Sequence, residues 1–466
     1  MAKLHFVGVA GSGMSALAQF HVMKGGKATG SDRAIDSGAA MELADKLKAL
    51  GVELFAQDGS ALGVPPESRP DEVIYSTAVE ESIPDLRRAK ELGIRAIARA
   101  DLLARHVSSF KTIAVAGTSG KSTVVAMIFE ILEAAGLSPS VITGGALRSL
   151  AERGLVGNAF GGKSDWLVVE ADESDGTLVR YQPWLGVLLN VSKDHKEIAE
   201  LNALFAAFFG RCKERVVGAD SLEFERYRDG ASTFGLLFGD FRAEDLRLGP
   251  ASCEFRLGQT SFHLPMPGRH NVENAVAAAA ACAKAGVSLK RAADALANYR
   301  GVARRFELVG AAGGVEVIDD FAHNPAKVAA TLEAAHLRAP RVHAVFQLHG
   351  FAPAKFMRAE FVDAFAEGLR EGDTLWLPEI FYAGGTANKT ISARDIADDI
   401  RKRGRDARFV ESRAAIVPEL TKAAAPGSVV LVMGARDPGL PAFARSVLEG
   451  LKNRPEARQP TRPSGQ

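Results

Sequence analysis

The residues of this chain best suited to chemistry form the segment Gly117-Thr-Ser-Gly-Lys-Ser-Thr123, which follows a β-branched apolar run at residues 112–116. Its two glycines permit a tight turn that presents backbone N–H groups to phosphate oxygens, its lysine adds a charge, and the next serine offers a hydroxyl to Mg²⁺. A solvated glycine turn is the less favoured alternative, because strand, turn, Lys-Ser and helix occur in the order that phosphate binding needs. The segment predicts a phosphate-binding loop.

Acidic side chains follow two further apolar runs. The run at residues 166–169 precedes Glu170, Asp172, Glu173 and Asp175, and the run at 185–190 precedes Asp194 and His195. Ligand sites of parallel sheets lie at the carboxyl ends of the strands. One carboxylate with Ser122 and water would suffice for Mg²⁺, which prefers oxygen ligands. A charged surface loop is the alternative, and the residues alone leave His195 open between a structural and a functional role.

A second glycine-rich turn lies near the start of the chain. A strand at residues 4–7 leads into Gly8, Gly11 and Gly13, and a helix follows. The next strand ends at Asp32, the position that holds a ribose hydroxyl in dinucleotide enzymes. This pattern predicts a nucleotide-binding fold with a phosphate or sugar-phosphate over its first helix. It is also compatible with NAD, or with glycines that serve only close packing.

The elements around these motifs alternate between strand and helix, which predicts an α/β protein of three domains. We place a Rossmann-like domain at 1–108, a central phosphate-loop α/β domain at 109–302, a C-terminal Rossmann-like α/β domain at 303–452, and a disordered tail at 453–466. The length of 466 residues suits two to four domains.

The composition gives no reason to expect several kinds of partner or site. A formal net charge of +1 gives no electrostatic reason to expect nucleic acid or an anionic membrane as a partner. The three cysteines are widely spaced, which argues against disulfides and a zinc site. With no apolar stretch of membrane-spanning length and no basic leader, we expect a cytoplasmic protein, either monomer or homodimer.

Taken together, these motifs make the chain resemble the Mur ligases over nearly its whole length, and within them the alanine-adding branch. The matching segments, in family order, are residues 5–15, 75–79, 117–123, 170–175, 194–195, 268–271 with Asn274, 304–307 and 319–325. The resemblance implies three domains that bind, in order, a UDP-sugar, ATP and the incoming amino acid. It implies an ATP-dependent ligase that joins an L-alanine-like amino acid to the carboxylate of UDP-N-acetylmuramate through an acyl phosphate in peptidoglycan synthesis.

The resemblance also implies a set of site residues. The catalytic set is Lys121, Glu170, His195, Arg305 and His323, with Ser122, Glu170 and His195 as Mg²⁺ ligands. The ATP-binding set is Gly117, Thr118, Ser119, Gly120, Lys121, Ser122, Thr123, Asn271, Asn274, Arg305, Asp320 and Asn324. The UDP-substrate set is Gly8, Gly11, Ser12, Gly13, Met14, Asp32 and Ser76.

The chain departs from the alanine-adding pattern mainly in its third domain. Ser119 and Asn324 stand where those ligases usually carry histidine, and residues 346–353 and 384–389 lack their usual motifs. We therefore hypothesise that L-alanine is joined poorly or replaced by another amine, with Lys355, Arg358 or Lys389 neutralising its carboxylate. The alternatives are a recycling ligase that attaches a murein peptide, a non-ligating ATPase and an NAD-binding protein.

Overall fold

The computed structural model describes residues 2–63, 65–76, 82–174, 176–194, 196–382 and 389–454. His195 lies outside the described residues, as do Asp175, residues 384–388 of the departing segment and nearly all of the predicted tail. The chain divides into two compact units, of which the first comprises Met1–Asp245, Phe255–His263 and Glu273–Ala303. The second comprises Leu246–Glu254, Leu264–Val272 and Arg304–Gln466. No helix in the described parts is long and apolar enough to cross a membrane.

The first sheet has five parallel strands in the order β3-β2-β1-β4-β5. Its strands are β1 (Lys3–Val7), β2 (Lys27–Ser31), β3 (Val52–Phe55), β4 (Glu72–Tyr75) and β5 (Arg95–Ala98). Its helices are α1 (Ser12–Met23), α2 (Arg33–Asp36), α3 (Met41–Ala49), α4 (Pro84–Glu91) and α5 (Arg99–Ser109). The strand order reverses direction between β1 and β4, and such a switch point opens a crevice at the carboxyl ends of the strands.

The second sheet has eight strands in the order β13-β12-β11-β10-β6-β9-β7-β8. Its strands are β6 (Lys111–Ala116), β7 (Ser140–Ile142), β8 (Ala159–Phe160), β9 (Trp166–Glu170), β10 (Leu185–Leu188), β11 (Glu214–Gly218), β12 (Ser232–Gly235) and β13 (Phe241–Arg242). Its helices are α6 (Lys121–Ala134), α7 (Arg148–Ala151) and α8 (Ile198–Phe209). Strand β6 runs parallel to both β10 and β9, so the segments that follow these three strands meet at one edge.

The apolar run of β6 is uninterrupted because both faces of this central strand are covered. Residues 113–116 are fully buried, as expected of a central strand in a parallel sheet. A small sheet of β14 (Glu244–Leu248), β15 (Cys253–Leu257) and β16 (Thr260–Leu264) comes next in the chain, followed by helices α9 (Arg269–Lys284) and α10 (Leu289–Leu296).

The third large sheet lies in the second unit and has the order β17-β18-β22-β19-β20-β21. Its strands are β17 (Glu307–Ala312), β18 (Val315–Asp320), β19 (Arg341–Gln347), β20 (Thr374–Pro378), β21 (Ala407–Val410) and β22 (Ser428–Gly434). Its helices are α11 (Pro325–Arg338), α12 (Phe351–Phe356), α13 (Arg358–Gly368), α14 (Ala393–Lys402), α15 (Ile416–Ala423) and α16 (Leu440–Lys452). Only the β17–β18 pair is antiparallel, and separate apolar clusters pack on the two faces.

Candidate active site

A cavity of about 460 Å³ opens at the switch point of the first sheet. Gly8 and Ser76 border it from the ends of β1 and β4, the two strands between which the order reverses. All seven residues predicted for the UDP-substrate line it, namely Gly8, Gly11, Ser12, Gly13, Met14, Asp32 and Ser76. The structure therefore brings this whole set together, and it adds Glu170 and Asp172 from the second sheet to the same lining.

The first glycine loop is held by hydrogen bonds within the first sheet. The N–H of Gly8 donates to the carbonyl of Ser31 over 2.8 Å. Asp32 accepts from the N–H of Ala10 at 2.9 Å through one oxygen, and from Ala34 at 2.7 Å through the other. Asp32 thus fixes the loop and caps α2, and its predicted contact with a ribose stays a prediction.

Arg99, which the sequence analysis did not select, supplies positive charge beside this loop. A β-carbon added at Gly13 would lie 3.0 Å from Nη1 of Arg99, so only a residue without a side chain leaves this guanidinium undisturbed. Arg99 and Arg33 both line the cavity. Together with the start of α1, whose first N–H groups have no partner within the helix, they favour an anionic ligand.

The phosphate loop runs from the end of β6 to the start of α6. Gly117 and Gly120 have φ angles of +133° and +85°, in the left-handed region that favours glycine. Lys121, the first residue of α6, donates from Nζ to the carbonyl of Gly117 at 2.8 Å and to Oε2 of Glu173 at 2.5 Å. A second carboxylate, that of Asp172, lies 3.7 Å from the same Nζ.

These carboxylates keep Lys121 charged although it is buried. Burial by itself lowers the pKa of Lys121, but the charges of Glu173, Asp172 and Glu170 outweigh it, so the pKa lies above its ordinary value. Burial raises the pKa of Glu173. Burial acts in the same direction on Asp172, but Lys121 holds the pKa of that carboxyl below its usual range.

Asn190, which lies two residues after the end of β10, holds the phosphate loop in place through hydrogen bonds. Its Oδ1 accepts from the N–H of Ser119 at 2.8 Å and from Oγ1 of Thr118 at 2.9 Å, and its Nδ2 donates to the carbonyl of Ser119 at 3.0 Å. Thr118 also pairs with the hydroxyl of Ser192 at 2.7 Å. The N–H of Ser119 therefore faces Asn190.

Glu170 and Ser122, the predicted metal ligands within the described residues, flank the Gly144–Gly145 pair. Glu170 accepts from the hydroxyl of Thr143 and, at 2.9 Å, from the N–H of Gly144. A β-carbon at Gly145 would lie 3.5 Å from Oγ of Ser122. Among the residues that the structure describes, no group of three His, Cys, Asp or Glu could hold a metal alone. This oxygen pair suits Mg²⁺ that also binds phosphate and water.

Two asparagines predicted to bind ATP lie in different units. Asn274 packs against the phosphate loop, since a β-carbon at Gly120 would come within 2.4 Å of its Oδ1. Asn271 belongs to the second unit, where its Nδ2 donates to the carbonyl of Pro267 at 2.7 Å.

The remaining predicted residues lie after β18 and around α11 of the second unit. Asp320 accepts from the N–H groups of Phe306 and Ala322, each at 2.7 Å. The fully buried Asn324 caps α11 by accepting from the N–H of Lys327 at 2.9 Å. Both side chains thus hold the backbone here, and their predicted contacts with ATP stay predictions.

Arg305 lies in an unusual stretch of backbone beside this helix. The residues on either side of it, Arg304 and Phe306, have φ angles of +57° and +50°, which are costly for residues with side chains. Arg304 is anchored to Asp319 at 3.0 Å, and the guanidinium of Arg305 lies 4.9 Å from the ring centre of Phe321. The segment therefore holds Arg305 on a constrained backbone.

The surroundings of His323 favour the neutral imidazole. Burial lowers its pKa well below the ordinary value, helped by the charge of Lys327. Its Nδ1 lies 2.8 Å from the carbonyl of Phe321, so Nδ1 carries the proton and donates. Nε2 is then an acceptor, with Nζ of Lys327 at 3.3 Å. The ring of His349 lies 5.7 Å away, centre to centre.

Known protein families match the parts of the chain that form the three large sheets. Models described as Mur ligase family catalytic domain, Mur ligase middle domain and Mur ligase glutamate ligase domain match residues 3–111, 115–282 and 304–436. The UDP-N-acetylmuramate–L-alanine ligase of Synechococcus sp. (strain RCC307) is 35% identical over 465 residues, covering 93% of each chain. That of Geobacter sulfurreducens is 34% identical over 456 residues, covering 93% of this chain and 94% of its own.

The chain belongs to the Mur ligase family. A solved structure of the UDP-N-acetylmuramate–alanine ligase of Thermotoga maritima, 27% identical, matches with a TM-score of 0.76 and covers 96% of this chain and 99% of its own. A murein peptide ligase from Psychrobacter arcticus, 22% identical with a TM-score of 0.66, shares the fold over 97% of this chain and 99% of its own.

As a Mur ligase, the protein is an ATP-dependent enzyme that joins an acid to an amino acid. The predicted family and three-domain α/β architecture are confirmed by the three successive domain matches, of which the first two fall mostly in the first compact unit. The boundaries at 108 and 302 and the roles of individual site residues stay predictions, including that of His195 outside the described residues.

Proposed function

We propose that this Mur ligase joins L-alanine to the carboxylate of UDP-N-acetylmuramate and converts ATP to ADP and phosphate. One observation carries the proposal: the loop predicted for the UDP-sugar and the acidic end of β9 line one cavity, while the same acidic segment contacts the phosphate-loop lysine. An acid substrate bound there has its reacting end near the nucleotide. The curated relatives named above are called L-alanine ligases, which favours L-alanine over the hypothesis that it is joined poorly or replaced by another amine.

Catalysis in this site is mainly positioning and neutralisation of charge. The substrate carboxylate attacks the terminal phosphorus of ATP, giving an acyl phosphate and ADP; the amine then attacks the acyl carbon, and phosphate leaves as the amide forms. Lys121 and the start of α6 neutralise the phosphate oxygens, and Asn190 fixes the loop that presents them. Arg99 and Arg33 supply charge for the UDP diphosphate beside Gly13.

Mg²⁺ would be held by Ser122 and Glu170, whose oxygens flank Gly144–Gly145. When bound, the ion neutralises phosphate charge and polarises the transferred group. The proposed role of His195, from the family resemblance, is to help hold a second ion. A MurF ligase of Thermotoga maritima with the same fold, 19% identical with a TM-score of 0.58, was solved in complex with ADP, which is in keeping with this nucleotide site.

The amine is assigned to the second unit, where Arg305, Asp320, His323 and Asn324 lie. Of the three cations considered for its carboxylate, Arg358 is paired with Asp399 at 2.6 Å. Lys355 has its Nζ 3.5 Å from the hydroxyl of Thr390. The exposed Lys389 has its Nζ 5.9 Å and 5.8 Å from the ring centres of Phe351 and Tyr382. Lys389 is the favoured carboxylate partner, because these described contacts are with aromatic rings rather than with a carboxylate.

The test is phosphate release with ATP, UDP-N-acetylmuramate and a panel of amines that includes L-alanine, other amino acids and a murein tripeptide. We expect L-alanine to give the highest kcat/KM, with one ADP formed per amide. A preference for the tripeptide would instead support the recycling ligase. Phosphate release without any amide product would support a non-ligating ATPase. A rise in melting temperature with NAD but not with UDP-N-acetylmuramate would reassign the first loop.

A further inference from the structure

Glu173 occupies a position for which the proposed reaction has no use. It lies three residues after Glu170, is only 4% exposed, and is directed at Lys121 rather than at the cavity lined by Glu170 and Asp172. The distance of 2.5 Å between Oε2 and Nζ makes it the nearest anionic partner of that lysine. The ammonium also donates to the carbonyl of Gly117, so it lies across the turn of the phosphate loop.

This contact competes with the nucleotide. A lysine ammonium is a compact charge that binds a carboxylate and a phosphate through the same three N–H donors. The side chains of Lys121 and Glu173 are 13% and 6% exposed, so solvent and salt screen the pair far less than an ion pair on the surface. A nucleotide phosphate that binds Lys121 therefore meets a buried carboxylate that is already bonded to the same ammonium.

We propose that Glu173 is a positioning residue of the phosphate loop: it holds the ammonium of Lys121 over the turn while the loop is empty, and nucleotide phosphates displace it. The inference rests on the proposed function of this loop in ATP binding. Because the displacement costs binding free energy, Glu173 lowers the affinity of the site for ATP and ADP. A lower affinity also favours release of ADP after each turnover.

The decisive variant is Glu173→Gln, because its amide oxygen still accepts a hydrogen bond from Lys121 but carries no charge. We expect calorimetric titration of Mg–ADP into the full chain to show a Kd about tenfold lower than in the wild type, the change that about 1.4 kcal/mol produces. The KM for ATP should fall in parallel. The matched control is Glu214→Gln, which breaks the 33% and 44% exposed pair of Lys284 with Glu214 and should leave both values unchanged.

A double-mutant cycle separates this account from simple repulsion between Glu173 and phosphate. In a Lys121→Ala background, Glu173→Gln should change the Kd of ADP less than twofold, because the lysine through which Glu173 acts is gone. Equal tightening in both backgrounds would overturn the inference, as would an unchanged or weaker affinity of the single Glu173→Gln variant. A wild-type chain that binds no nucleotide would overturn the proposed function together with the inference.

Discussion

The two glycine loops of this protein occupy equivalent positions in their sheets but have different charged side chains beside them. Each follows a central strand that pairs in parallel with both of its neighbours and leads into a helix, β1 into α1 and β6 into α6. The first loop has positive charge beside it from Arg99, a residue of another helix. The second carries its own cation, Lys121, with two carboxylates within 3.7 Å.

Under the proposed function, this difference lets one topology serve two tasks. A diphosphate that is only held needs donors and fixed positive charge, which the start of α1 and Arg99 provide. A phosphoryl group that is transferred needs a movable charge, a metal and a loop in a fixed shape. In the proposed site, Lys121 would supply the charge, Glu170 with Ser122 would hold the metal, and Asn190 fixes the shape of the loop.

The largest predicted effect is the loss of ligation rate when the lysine of the second loop is removed. Lys121→Ala should lower the ligation rate by about a hundredfold or more, because it removes the lysine charge of the phosphate loop. The measurement is ADP formation at saturating substrates, with Lys284→Ala as the surface control. Near wild-type turnover in a folded Lys121→Ala protein would show that the loop assignment is wrong.

Glu170 tests whether the metal belongs to the second loop. Glu170→Ala should raise the Mg²⁺ concentration for half-maximal activity by about tenfold or more, because it removes a carboxylate ligand. The measurement is a Mg²⁺ titration at fixed ATP. Unchanged Mg²⁺ dependence would move the metal site to Asp172 or Glu173.

Asn190 tests the shape of the second loop. Asn190→Ala removes the hydrogen bonds to Ser119 and Thr118, so we expect the KM for ATP to rise about tenfold and the KM for UDP-N-acetylmuramate to stay within twofold. Asn298→Ala, which removes an exposed amide bonded to the carbonyl of Asp294, is the control. Equal losses for both substrates would point to a general loss of structure.

The smallest predicted effect belongs to the first loop. Gly13→Ala places a methyl group 3.0 Å from the guanidinium of Arg99, which must shift, so UDP-N-acetylmuramate should bind about threefold more weakly. Binding of ADP should not change. Gly210→Ala is the matched control, since its added carbon comes no closer than 3.4 Å to its neighbours. A loss of ADP affinity instead would assign this loop to ATP.

The sequence predicted both loops because their signals are local. Strand, glycines and helix follow one another within a dozen residues, and the structure places all seven residues of the first set around one cavity. Asn324 also fits a second local pattern besides the family motif. An asparagine before proline is also a typical helix cap, and the structure uses this side chain to cap α11.

The sequence did not predict Arg99 and Asn190 as site residues, because the pairing of strands distant in the chain places them beside the loops. Asn190 is 71 residues from Ser119 in the chain and meets it because β10 pairs with β6. No local sequence pattern indicates that β10 pairs with β6. A polar residue after a buried strand was the available signal for Asn190, and knowledge of the neighbouring strand would have been needed to use it.

The central claim is that the first loop binds the UDP-sugar and the second binds ATP. Calorimetric titration of UDP-N-acetylmuramate and of Mg–ADP into Arg99→Ala and Lys121→Ala tests it directly. We predict that Arg99→Ala loses affinity for UDP-N-acetylmuramate and keeps that for ADP, whereas Lys121→Ala does the reverse, each loss being about tenfold or more. If each variant lost affinity for the other ligand, or lost affinity equally for both, the assignment of one ligand to each loop would be contradicted.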